Sequence, residues 1–131
     1  MSNSLKNMLV IICSFVAGGG VIYLGEALIH TFHPYFTNSS PVEYNASTLP
    51  AGILSLIIIL HALGAFVSGL LLKKFLISAD SFIITLVGLG WTLVGVSSVF
   101  NESYPVWYAI SDTCVYLPMT ILGSKSVGKW K

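Results

Sequence analysis

Between Pro50 and Leu72 the chain runs for 23 residues without a charged side chain, and a single histidine, His61, sits halfway along. As a helix this stretch would be roughly 35 Å long, enough to cross a hydrocarbon core with some tilt. It stops at Lys73-Lys74, a basic pair of the kind that marks the cytoplasmic end of a span. A segment this apolar either lies buried in a large core or faces lipid, and the rest of the chain decides which. Only 8% of the 131 residues are charged and 55% are hydrophobic. Soluble domains carry about a quarter charged residues, so this chain has too little polar surface to face water on all sides.

Three more apolar stretches complete the pattern. The first helix is expected over about 8–30, interrupted by Gly18-Gly19-Gly20 and by Glu26 near its far end. Its length exceeds the roughly 7–15 apolar residues of a signal peptide, so it reads as a retained span. The second is expected over 49–72, with Thr48 as N-cap and Pro50 in the first turn. The third is expected over 82–100, with Ser78 or Asp80 as its cap, and the fourth over 106–123 after the turn at Pro105. The predicted fold is all-α, one antiparallel four-helix transmembrane bundle occupying residues 1–131.

Charge sets the orientation. All six cationic residues are lysines (6, 73, 74, 125, 129 and 131), and four crossings put every one of them on the same side. The positive-inside rule then places both termini in the cytoplasm of a multi-pass protein of the cell (inner or plasma) membrane. Phe32, Tyr35, Phe36, Phe100, Tyr104, Trp107 and Tyr108 gather at the expected outer boundary, with Phe75 and Trp130 at the inner one. The expected partners are the lipid bilayer and a further membrane protein or a second copy. No basic run suggests nucleic acid. Cys13 and Cys114 fall at different depths, which argues against a disulfide.

Helices in lipid associate by close backbone approach at small residues. At 100° per residue His61, Gly64, Ala65 and Ser68 share one arc of the second helix, and Gly88, Trp91, Thr92 and Gly95 one arc of the third. Gly19, Ile22, Tyr23, Glu26 and His30 align on the first, and Tyr108, Asp112, Tyr116 and Met119 on the fourth. In the first and second helices, then, the ionisable residue falls on the face whose glycines mark it for a neighbour, as expected of groups that face a bundle interior.

These residues carry a resemblance. Gly25-Glu26 followed by His30 and Pro34, Leu49-Pro50, His61-Ala62-Leu63-Gly64-Ala65 with Ser68-Gly69, Pro105-Val106-Trp107, and Tyr116-Leu117-Pro118 with Leu122-Gly123 together resemble an uncharacterised family of small four-span bacterial membrane proteins. The chain departs from that pattern at Tyr104, where the family places a histidine. The resemblance implies the four-helix topology and no activity.

The candidate ligand or proton site comprises Glu26, His30, His61 and Asp112. From helix rise alone Glu26 should lie roughly 8 Å, Asp112 roughly 9 Å and His61 about 16 Å below the outer boundary. Two buried carboxylates at one depth would share a proton or bind a cation, because both cannot ionise cheaply in low dielectric. Glu26 and His30, four apart, also fit a metal-ligand pair, but no further spacing is diagnostic, and no metal or cofactor is assigned. The competing structural reading leaves each group satisfied separately: Glu26 hydrated, Asp112 on a hydroxyl, His61 tying two helices together. One deep histidine is too few for haem ligation, and no nucleophile triad or phosphate loop is present. Asn38, Asn45 and Asn101 open N-x-S sequons, which chance produces readily in Ser/Asn-rich loops. The leading functional expectation is a non-enzymatic accessory subunit or packing partner of a larger membrane assembly. The alternative is a ligand-binding or transport-type protein with an outward-facing protonatable or metal-binding pocket.

Overall fold

The computed structural model describes residues 2–33, 46–76 and 81–127. These form four helices: α1 (Asn3–Phe32), α2 (Ala51–Phe75), α3 (Ser81–Asn101) and α4 (Val106–Ser126), with a 3₁₀ turn at Ala46–Thr48 before α2 and no strand among the described residues. Three of them, α1, α2 and α3, are long and apolar enough to cross a membrane, which points to membrane association. α4 has the length of α3 but a more polar sequence.

The helix limits follow from local chemistry. α1 begins earlier than its apolar run because Ser2 caps it, its Oγ accepting from Leu5 N–H at 3.3 Å. The expected Thr48 cap is not used. Pro50 is the N-cap of α2 and its carbonyl accepts from Ile53 and Leu54. The steric demand of a proline ring keeps the preceding Leu49 out of helical geometry, so α2 cannot start before Pro50. Pro105 opens α4 in the same way. The expected caps Ser78 and Asp80, the markers Tyr35, Phe36 and Trp130, and Pro34, Asn38, Asn45, Lys129 and Lys131 lie outside the described residues.

Glycine contacts define the packing. A Cβ on Gly64 would lie 2.7 Å from the Gly18 carbonyl, one on Gly18 would strike Ser68, and one on Gly25 would strike Leu60, so α1 and α2 run antiparallel. Gly69 abuts the Thr120 backbone and Gly123 abuts Phe66, so α2 and α4 are in close contact, and they run parallel, since His61 meets Asp112 while eight residues further on Gly69 meets Thr120. Gly88 meets Leu117, and Gly95 the Tyr116 ring, which fixes α3 on α4. α2 and α4 thus form the central pair, α1 packs on α2 and α3 on α4. α1 and α3 touch where Phe15 meets Gly90 and the Trp91 ring, at 5.1 Å between centroids.

A hydrogen-bond node fastens three helices at that level. Ser68 Oγ donates to the Ser14 carbonyl (2.8 Å) and accepts from Trp91 Nε1 (3.0 Å). Among the described residues no buried side-chain nitrogen or oxygen lacks a partner. The expected α2 arc is buried throughout, as are Gly88, Trp91 and Gly95 of α3. The α1 arc needs correcting: the residues it buries are Ser14 and Gly18, one position round from Gly19, while Tyr23 is 73% exposed. On α4 the stripe continues through Thr120 and Gly123, buried, instead of Met119. Cys13 and Cys114 are free and exposed.

Candidate functional site

His61 lies at the middle of α2, on the arc that faces both α1 and α4, and is itself buried. Its Nδ1 is 2.6 Å from Asp112 Oδ1 on α4, and its Nε2 is 3.1 Å from Glu26 Oε1 on α1. One imidazole therefore joins two carboxylates contributed by two other helices. Tyr116, one turn after Asp112, brings its hydroxyl oxygen to 2.8 Å from Nδ1 and donates to Asp112 Oδ2 at 3.4 Å. Its ring stacks on His61 with centroids 5.5 Å apart, and Trp91 stacks beyond it at 6.1 Å with the planes 4° apart. Asp112 is 1% exposed, whereas the Glu26 side chain is 38% exposed.

The expected depths differ from the observed contact, since helix rise separated Glu26 from His61 by several ångströms. Side chains lean toward the N-terminus of their own helix. In the antiparallel pair α1 and α2 that tilt carries Glu26 and His61 toward each other and closes the difference. Asp112, on a helix parallel to α2, leans the same way as His61 and meets its other nitrogen.

Hydrogen bookkeeping limits the states of this chain. Each nitrogen–carboxylate contact needs one proton, and an ionised carboxylate is an acceptor only. The two protons sit either on the imidazole or one on the imidazole and one on a carboxyl. With no further proton on the outer carboxylate oxygens, both arrangements leave the trio with a net charge of about −1 by this count.

In front of the trio lies a cavity of about 340 Å³. Its walls come from all four helices: Glu26 and Tyr23 of α1, His61 of α2, Trp91, Val94 and Ser98 of α3, and Tyr108, Asp112 and Tyr116 of α4, with Glu102 and Tyr104 from the α3–α4 turn. Glu26, His61 and Asp112 are thus brought together. His30 is not: one helical turn beyond Glu26 it is rotated by about 40°, and it is exposed and absent from the cavity wall. Glu102 and Tyr116 are wall residues that sequence reasoning missed as site residues: a lone acid in a polar turn carries no signal that it will reach a cavity, and Tyr116 was legible only as part of the α4 stripe. The two ion pairs among the described residues both run through His61, so Glu102 takes no part in one.

Among the described residues no group of three or more His, Cys, Asp or Glu is arranged to hold a metal ion. The geometry gives the reason. Both imidazole nitrogens face carboxylate oxygens at hydrogen-bond distance on opposite sides of the ring, so the three side chains do not converge on one point. Compared with protein-family models, curated proteins and solved structures, the chain matches none, and the family resemblance gains no support from them.

Proposed function

We propose that this is a four-span membrane protein of the ligand-binding or transport type, whose outward-facing cavity binds a small solute at a proton-sharing Glu26–His61–Asp112 chain. The observation that carries the proposal is His61 held between two carboxylates from different helices at the back of an open cavity. A purely structural histidine needs one partner per nitrogen and no cavity. Ionisable groups at membrane depth usually mark a solute or proton path.

α4 serves as the fourth span in this reading. Its polar residues Asp112, Tyr116, Thr120 and Ser124 are buried against α2 and α3, while Val106, Ile110 and Leu122 are exposed. Lipid would therefore meet an apolar face in spite of the helix's polar composition. With Lys73 and Lys125 at the opposite end from the cavity, the positive-inside rule puts the cavity outside and both termini in the cytoplasm. The polar chain reaches from the cavity to mid-helix and gives way to the Ser14–Ser68–Trp91 node, so the site is a pocket and not a through-pore.

Infrared difference spectra between acid and alkaline buffer, recorded on the full chain in lipid nanodiscs, test the reading. A carboxylic-acid band should appear and should be altered by Glu26→Gln and by Asp112→Asn. Spectra unchanged in both variants would remove the proton-sharing site.

The accessory-subunit reading rests on a different observation. α1 buries little of its surface, leaving Val16, Leu24 and Leu28 exposed, and Gly20 has nothing within 4 Å of its Cβ position. A partner helix seated there would be captured by cross-linking from an introduced Gly20→Cys in native membranes; absence of any adduct would count against it.

A further inference from the structure

Taken as a ligand site, the reading on which this inference rests, the cavity is electrically one-sided. The trio holds one more negative charge than positive in either proton arrangement, and Glu102 adds a third carboxylate to the wall. Among the described residues nothing cationic faces them. The sequence has no lysine between Lys6 and Lys73 or between Lys74 and Lys125, and no arginine at all. Lys73 and Lys125 line a separate cavity with Ser81, at the far end of the bundle. Of the remaining histidines, His30 is exposed and His33 half-buried, and neither lines the wall. Uncompensated negative charge inside a low-dielectric bundle is costly, and a bound cation offsets it.

The chemistry of the wall separates organic from inorganic cations. A metal ion of the calcium or magnesium kind needs about six converging oxygens. Here the inner carboxylates of Glu26 and Asp112 each commit an oxygen to opposite sides of His61. An ammonium group needs only one to three acceptors and is also attracted by aromatic rings. The wall is rich in them: Tyr104 and Tyr108 in mutual contact at 4.5 Å, and Trp91 stacked on Tyr116. The volume of about 340 Å³ lies at the low end of the roughly 300–1,000 Å³ typical of small-molecule sites.

Access is lateral. Tyr23 on α1 and Val94 on α3 are wall residues that are 73% and 49% exposed. Between these two helices the seam closes only lower down, at Phe15, Gly19 and Trp91. A hydrocarbon substituent can therefore leave the cavity between α1 and α3 while a charged head stays at the carboxylates.

We infer that the cavity takes a small organic cation, an amine in its ammonium form, with the charged head toward Glu26, Glu102 and the aromatic rings of the wall and the hydrocarbon part directed into the α1–α3 gap.

The test uses the full chain in nanodiscs and three probes of one size, n-butylammonium, 1-butanol and butyrate, followed by saturation-transfer NMR. Butylammonium should bind, and butanol and butyrate should not. Glu102→Gln, a surface change that leaves the buried trio intact, should weaken butylammonium by about two- to fivefold, and Tyr104→Ala by a similar factor. Circular dichroism of each variant checks that the helices are retained. Butanol binding as well as butylammonium would overturn the cation assignment, as would displacement of butylammonium by millimolar potassium or zinc chloride. Absence of butylammonium binding, with the carboxylic-acid band still sensitive to Glu26→Gln, would overturn this inference and leave the proton-sharing site standing. Absence of both would overturn the two together.

Discussion

Replacing Gly69 by alanine puts a methyl group where α2 meets α4. Its Cβ would lie 2.7 Å from the Thr120 carbonyl carbon and 3.0 Å from the Thr120 Cα, and closer still to the carbonyl oxygen. Carbon atoms prefer separations of about 3.5–4.0 Å, so the two helices must part by roughly 1 Å. The atoms in the way are backbone and cannot rotate aside. Overpacking of this kind costs about 1–3 kcal/mol, against a gain of up to about 1 kcal/mol for alanine over glycine in a helix. The net expectation is a loss of up to about 3 kcal/mol. Gly123→Ala should behave alike, since its Cβ would meet the Phe66 carbonyl carbon at 2.8 Å and the Leu70 nitrogen at 3.1 Å. Both changes strain one crossing, so a single separation relieves both and the double variant should lose less than the sum. Gly20→Ala, with nothing within 4 Å of its Cβ, should be neutral or stabilising. The same separation would stretch the 2.6 Å His61–Asp112 contact beyond the usual hydrogen-bond range. Unfolding in mixed micelles, followed by helicity as the denaturing detergent fraction rises, measures all four variants. If Gly69→Ala and Gly20→Ala prove equally stable, the close α2–α4 approach is not what holds the bundle.

Asp112→Ala should destabilise by about 1–3 kcal/mol in the same unfolding assay, because it removes the buried carboxylate that serves both His61 Nδ1 and the Tyr116 hydroxyl and leaves those two groups only each other, whereas Asp112→Asn, which keeps an acceptor, should cost clearly less. Tyr116→Phe removes one hydroxyl shared by His61 and Asp112 and should cost about 0.5–1.5 kcal/mol while retaining the ring stacking. Ser68→Ala deprives the Trp91 indole of its acceptor, and a loss of about 1–3 kcal/mol with a shift in tryptophan emission is expected. Cys13 and Cys114, free and on the outside of the bundle, should react in intact membranes with a lipid-soluble maleimide and be spared by a charged one; equal labelling by both would place them in water.

The number of helices, their approximate limits and the apolar character of α1, α2 and α3 were legible in the residue order, because an unbroken hydrophobic run bounded by proline or lysine has few other outcomes. The faces of α2 and α3 were legible too, since small residues at helical spacing can only help where backbones approach, and His61, Gly64, Ala65 and Ser68 are all buried. On α1 three consecutive glycines offered three candidate faces, and only the seating of Ser14 and Gly18 against α2 chose one. Tertiary structure alone decided that His61 bridges Glu26 and Asp112, because that depends on the relative heights of three helices and on the opposite lean of side chains in an antiparallel pair. It also decided that Glu102 and Tyr104 fold over the cavity and that His30 does not reach it. Periodicity reports which way a residue points around its own axis; it carries nothing about what stands opposite, and a site shared by four helices is made of what stands opposite.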